Sequence, residues 1–296
     1  MYKKSFHRGV ALITCFCTSL AASLFLTPIA AAHPPLQERI SALTSQIRKE
    51  PGNAELYLMR GKLYSEHSDW NAAQDDFKRA AELDPNLAEI NLYLGQMFLA
   101  SGQPGLAEKT LKLFILQKPD HSAARAAHAR ALLRLGRLAE ATEEYTNAIR
   151  LQPNPSPELY IERAKALMEE SKENVDKALS GLNEGLQRLG QPVTLQLYAI
   201  DLEMRKNRFD AALSRLEQIT SRSPRKEAWL VRRGEILEKA GRDEDARTAY
   251  TAVLALIKEL PAHRQNTPAI IQIGSRASDL LKRLDAAKND CSESDD

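Results

Sequence analysis

From residue 54 onward, apolar residues recur at helical spacing in short blocks, each closed by a turn that carries proline or glycine. Tyr57, Gly61 and Tyr64 share one face of a predicted first helix, and Ala73, Phe77 and Ala80 share one face of a second. The block then repeats. Pro51, Pro85, Pro119 and Pro153 stand 34 residues apart. The same step joins Ala73 to Ala107 and Ala141, Gly61 to Gly95 and Ala129, Tyr64 to Phe98 and Leu132, and Phe77 to Leu111 and Tyr145. Proline disfavours helical geometry in the residue before it, so Asp84-Pro85-Asn86 ends one second helix and the next block starts just beyond. Neither helix can bury its stripe alone, so the blocks must stack into one continuous core.

An aromatic, a small residue and an aromatic, followed by Ala, a large apolar residue, Ala and Pro, is a pattern that resembles the tetratricopeptide repeat. The resemblance spans about residues 54–260 and is strongest over 54–87, 88–121 and 122–155. A fourth repeat starts near Pro157 with Tyr160, Ala164 and Leu167, and "EESKENVD" lengthens its inter-helix turn so that Ala178 and Leu182 come late. The fifth, near 192–225, is read on Leu195, Ala199, Leu202 and Ala211, and the sixth, near 227–260, on Gly234, Leu237, Gly241, Ala246 and Tyr250. The fold expected is all-α: an α-α superhelical solenoid of about six helix pairs over 53–262, with a capping helix at each end.

The caps are legible too. Leu36, Ile40, Leu43 and Ile47 make a single stripe before Pro51, so residues 33–52 read as the second helix of a repeat that lacks its first. Thr267-Pro268 opens a last helix with Ile270, Ile273, Ala277, Leu280, Leu281 and Leu284 on one side, giving a C-terminal cap over 263–288 and a frayed acidic tail over 289–296.

Composition agrees with helix: 296 residues, 43% hydrophobic and 27% charged, with 13 glycines and 6% aromatics. The first 32 residues stand apart. Lys3, Lys4 and Arg8 precede an uncharged apolar run from Gly9 to Ala30, and Ala30 and Ala32 fit the small residues read before cleavage at His33. This is the pattern of a secretory signal peptide and predicts a periplasmic or secreted protein; a retained membrane anchor is the alternative, since the run is long enough to span a bilayer. Cys15 and Cys17 lie in that segment, and "LITC" is a poor lipobox, with Thr14 where a small residue is required. Cleavage leaves Cys291 alone, so packing rather than a disulfide must hold the fold. Without Lys3, Lys4 and Arg8 the 41 basic residues fall to 38 against 39 acidic ones, and a net charge of −1 recommends no nucleic acid partner.

Chemistry is sparse. His121 and His128 have no acidic or Cys partner at ligand spacing, His33, His67 and His263 stand apart, and no zinc, phosphate-loop or nucleophile motif is present. Asp75-Asp76 and Glu143-Glu144 are adjacent on helices, so their side chains diverge, and they read as solvated faces. No enzyme, metal or cofactor is expected.

The resemblance instead implies a concave face lined by the first helices. The positions it carries over are Glu55, Leu58, Lys62 and Glu66 in repeat one, then Glu89, Leu92, Gln96 and Leu99 in repeat two. Repeat three supplies Ala123, Ala126, Arg130, Leu133 and Arg134, and repeat four Glu158, Ile161, Lys165 and Met168. Leu58, Leu92, Leu99, Leu133, Ile161 and Met168 form an apolar lane, and Lys62, Gln96, Arg130, Arg134 and Lys165 a locally basic line beside it. Packing between repeats and pairing with local Glu are the structural alternative for these same residues. Members of the family that clamp a carboxylate use Lys and Asn, then Asn, then Lys and Arg; here Leu58 and Lys62, Tyr93, and Ala123 with Ala127 or Ala126 match once in five. The expected function is a non-catalytic envelope scaffold that holds a partner protein or peptide in its groove. Alternatives are a regulatory subunit of an envelope enzyme and a membrane-tethered assembly factor.

Overall fold

The computed structural model describes residues 36–293. Residues 1–35, which include the stretch expected to be a signal peptide, and residues 294–296 lie outside the described residues. Among those described there are fifteen α-helices, one short 3-10 turn and no strand. α1 (Leu36–Lys49) precedes six antiparallel pairs. The first three are α2 (Ala54–Glu66) with α3 (Trp70–Leu83), α4 (Glu89–Ala100) with α5 (Pro104–Gln117), and α6 (Ser122–Arg134) with α7 (Leu138–Arg150). Next come α8 (Pro157–Glu170) with α9 (Val175–Arg188), α10 (Val193–Arg205) with α11 (Phe209–Arg222), and α12 (Glu227–Lys239) with α13 (Asp243–Glu259). A single turn, α14 (Ala262–Gln265), leads into α15 (Pro268–Glu293). Helices pack chiefly on their sequence neighbours, which is the solenoid the 34-residue step predicts.

The small-residue column works as expected. A Cβ on Gly61 would meet the ring of Phe77, one on Gly95 would meet Leu111, and one on Gly234 would meet Tyr250. The residues of the Phe77 column are fully buried, and the two backbones approach because nothing projects from the glycines. Three apolar clusters follow one another along the chain: Leu58 to Ala131, Ala126 to Leu202, and Ile200 to Leu284. The caps also hold. Ile40 and Ile47 of α1 are buried, and on α15 Ile270 is buried while Ala277 and Leu284 join the core of the last pair. α15 starts at Pro268 and runs on to Glu293, past the end expected at 288, since the sequence there is free of the Gly or Pro that would stop it.

A second column emerges only in the structure. The turn between the two helices of a pair needs one residue in the left-handed region, and Ser68, Gly102, Gly136, Asn207 and Gly241 supply it, with φ of 63°, 77°, 74°, 55° and 70°. Repeat four lacks this turn. Its insertion forms the 3-10 turn Lys172–Asn174 instead, opened by Ser171, whose hydroxyl accepts from Glu173 N at 3.1 Å.

The turn column corrects the fifth repeat. Asn207 stands 34 residues before Gly241, which places Ile200 in the Gly61–Gly234 column and Glu203 in the column of Tyr64, Phe98 and Leu237. Ala212, not Ala211, is the fully buried alanine. The register read on Ala199 and Leu202 is therefore one residue early, Ala211 and Ala212 being adjacent and either able to fill the alanine column.

Candidate functional site

The first helices of repeats two to four enclose a hollow of about 540 Å³. Its floor is made by small residues of α6, Ala123, Ala126 and Ala127, whose short side chains leave the space open. Leu99 from α4 and Leu159 from α8 give it apolar walls. Gln96, Arg130 and Arg134 supply polar groups, joined by Gln152 and Ser156 from the connection between α7 and α8. No carboxylate lines it among the described residues, and its charged groups are the guanidinium groups of Arg130 and Arg134, the first of them paired with Glu162 behind it.

Both arginines have partners. Arg130 pairs with Glu162 at 3.0 Å across to α8, in a position about half exposed to solvent. Arg134 donates through Nη1 to the carbonyl of Leu99 near the C-terminal end of α4, an oxygen that also accepts from Gly102 N at 3.3 Å. Gln152 donates to Ser122 Oγ, which in turn donates to the Ala148 carbonyl at 2.9 Å and fixes the start of α6 against the end of α7.

Of the positions expected to line a groove, Gln96, Arg130 and Arg134 thus come together. The apolar lane does not survive as a lane. Leu58, Leu92 and Leu99 are buried within the first cluster, and Leu133, Ile161 and Met168 are half-buried against the second. They hold repeat to repeat, because first helices must touch each other along the stack, and only Leu99 still borders the hollow. Lys62 lies with Nζ 5.2 Å from the centre of the Tyr93 ring, a cation–π contact, and Lys165 is exposed on α8 away from the hollow. Gln152 and Ser156 escape the sequence reading because they lie in a connection outside the first-helix columns.

The acidic pairs also need correction. Asp76 is buried and takes a bidentate pair of bonds from Arg60 at 2.7 and 2.8 Å, while Asp75 is exposed. Glu144 accepts from Arg125 at 3.0 Å, and its exposed neighbour is Glu143. One member of each pair therefore faces inward to an arginine rather than water. His128, which has no acidic partner at ligand spacing in the sequence, is buried between Glu108 at 3.9 Å and Glu144 at 3.7 Å, brought from the helices on either side. Arg137 pairs with Glu108 at 3.1 Å, so the row reads Arg137, Glu108, His128, Glu144, Arg125. Burial pushes the Glu144 carboxyl up, but His128 and the Arg125 bonds outweigh it and leave it below the usual carboxylate value. His121 has a structural role: its Nδ1 accepts from Ala124 N at 3.0 Å and caps α6. No group of three or more His, Cys, Asp or Glu side chains among the described residues is arranged to hold a metal ion.

Known proteins give the same account of the architecture. One tetratricopeptide repeat model matches residues 126–191 and 199–261, and a second matches 65–131. Over 85 residues the chain is 34% identical to human tetratricopeptide repeat protein 13, a stretch of 29% of this chain and 10% of that protein. The chain thus spans about a tenth of that relative's length. Among solved structures, the C-terminal part of a TPR repeat-containing protein from Cytophaga hutchinsonii superposes with a TM-score of 0.62 at 16% identity, over 80% of this chain and 94% of the other. A tetratricopeptide repeat protein from Parabacteroides merdae does so at 0.51 and 15% identity, over 82% and 92%. At such identities the likeness is one of fold. With matched repeats running from 65 to 261 and six stacked pairs in the structure, the chain belongs to the tetratricopeptide repeat family.

Proposed function

We propose that this protein is a scaffold of the cell envelope that holds an extended segment of a partner protein in the hollow of repeats two to four. The observation that supports this most is the hollow itself: a floor of alanines, two leucine walls, and Arg130, Arg134 and Gln96 at the edge without a lining carboxylate. Such a surface suits a peptide whose carboxylates or backbone carbonyls meet the guanidinium groups while a small apolar side chain enters between Leu99 and Leu159. Tetratricopeptide repeats serve in general as protein-interaction scaffolds, and no cofactor is required for that role.

The test is capture of partners from an envelope extract on the wild-type chain beside an Arg130→Glu, Arg134→Glu double variant, with melting temperatures compared first. Loss of specific partners from a folded variant is the expected result. Equal capture overturns the hollow as the site. The envelope location rests on the pattern of residues 1–32, and N-terminal sequencing of the processed protein should begin at His33. An intact Met1 in the membrane fraction would establish the anchored reading.

A further inference from the structure

The outward side of α5 is unlike that of its neighbours. Leu106, Leu113 and Leu116 are 44%, 52% and 72% exposed, and their spacing of seven and three residues puts them on one stripe about 15 Å long. Lys109 is exposed on the same stripe, and Lys112 is exposed beside it. The core residues of α5, Ala107, Leu111 and Phe114, face the other way, so the leucines play no part in stacking.

The 34-residue step shows what this position normally holds. One repeat earlier the equivalents of Leu113 and Leu116 are Arg79 and Glu82, which pair with each other at 3.0 Å. One repeat later they are Asn147 and Arg150, joined by a hydrogen bond of 2.6 Å. Two flanking repeats use the site for solvated polar pairs; α5 alone of the three has an apolar pair there, in a region of the surface that the solenoid does not need to bury.

Charge selects what can cover the stripe. The only carboxylate of α5, Glu108, is turned inward to Arg137 and His128, so no acid of α5 itself faces Lys109, while Lys112 lies within electrostatic reach of Glu140 on α7. A second copy docked through the same stripe would bring two Lys109 groups together with no carboxylate from either α5 to meet them. A flat anionic membrane on α5 would also meet the exposed Glu140 and Glu143 of α7, the helix that Arg137 ties to α5 through Glu108. A single helix is narrow enough to follow α5 alone.

We propose that the outer face of α5 docks an amphipathic helix of another protein, one whose apolar stripe is interrupted by Asp or Glu opposite Lys109. This surface is formed by a second helix, apart from the hollow of the first helices, and does not depend on the reading of that hollow.

The experiment titrates the full chain with two blocked 18-residue model helices by fluorescence anisotropy. Both carry leucine at the a and d heptad positions; one has glutamate and the other lysine at the flanking e and g positions. The acidic helix should bind saturably and at least ten-fold more tightly than the basic one. Binding should vanish in a Leu113→Glu, Leu116→Glu variant with an unchanged melting temperature, and persist in Arg130→Glu. A Lys109→Glu variant, which leaves the leucines in place, should reverse the preference between the two helices. Equal binding of both helices, no binding of either, or binding unaltered by these substitutions overturns the proposal. So does a wild-type dimer by light scattering, or binding to phosphatidylserine vesicles, that the double leucine variant abolishes.

Discussion

A Cβ on Gly61 would lie 2.8 Å from Cε1 of Phe77, closer than such carbons approach in folded proteins. The first pair of helices can therefore meet only because residue 61 has no side chain. Gly61→Ala should force Phe77 out of its place and cost about 1–3 kcal/mol, as overpacking of a filled core does. Denaturant unfolding followed by circular dichroism measures it; an unchanged midpoint would mean that the pair has slack at this contact.

Ser68 bears a backbone cost that Gly102 and Gly136 avoid, since a side chain crowds the left-handed conformation all three adopt. Ser68→Gly should stabilise the chain by about 0.5–1 kcal/mol. Asn207→Gly should gain less, because asparagine tolerates that region better than serine. Thermal unfolding of the two variants side by side checks both size and order.

Acid should weaken the row around His128. Glu144 is held below its ordinary value of 4.5 in the folded chain, so its contribution is fully present above that value and is lost as pH falls through the lower folded one. Glu144→Gln removes this titration. The variant should be less stable at neutral pH and lose less of its remaining stability between about pH 5 and about pH 3. Parallel acid-dependent slopes for variant and wild type would show that the shift has no weight in the unfolding equilibrium.

Glu162 competes with any acidic partner for Arg130, to which it is bonded at 3.0 Å. An exposed pair of this kind is worth roughly 0.2–1 kcal/mol. Glu162→Gln should accordingly tighten binding of a partner captured in the hollow by about 1.4- to five-fold, and raised salt should narrow the difference. Weaker binding would mean that the ion pair positions Arg130 rather than occupying it.

The architecture is legible in the sequence because it is periodic. Gly61, Gly95 and Gly234 announce close helix contacts, and the prolines count the repeats. What the sequence obscures is instructive in each case. Leu58 and Leu92 lie at positions that face a groove in one repeat considered alone, yet stacking covers them, and periodicity within one helix cannot report what the next helix covers. Asp76 and Glu144 look solvated because their arginine partners, Arg60 and Arg125, lie 16 and 19 residues away on another helix. The fifth repeat slips because Ala211 and Ala212 are adjacent and either suits an alanine column; the left-handed turn at Asn207 decides between them. Arg130 and Arg134 are identifiable by register, whereas Gln152 and Ser156 have no periodic signal to mark them.

The three apolar clusters occupy successive stretches of the chain, overlapping only between Ala126 and Ala131 and between Ile200 and Leu202. Each can close without waiting for residues much further along, so loop closure never spans more than a few repeats. During synthesis the first two pairs can be complete while the last pair is still unmade, and a growing end need hide only one exposed repeat face at any moment. α1 and α15 are then the opening and closing events of a process that runs in the order in which the chain appears.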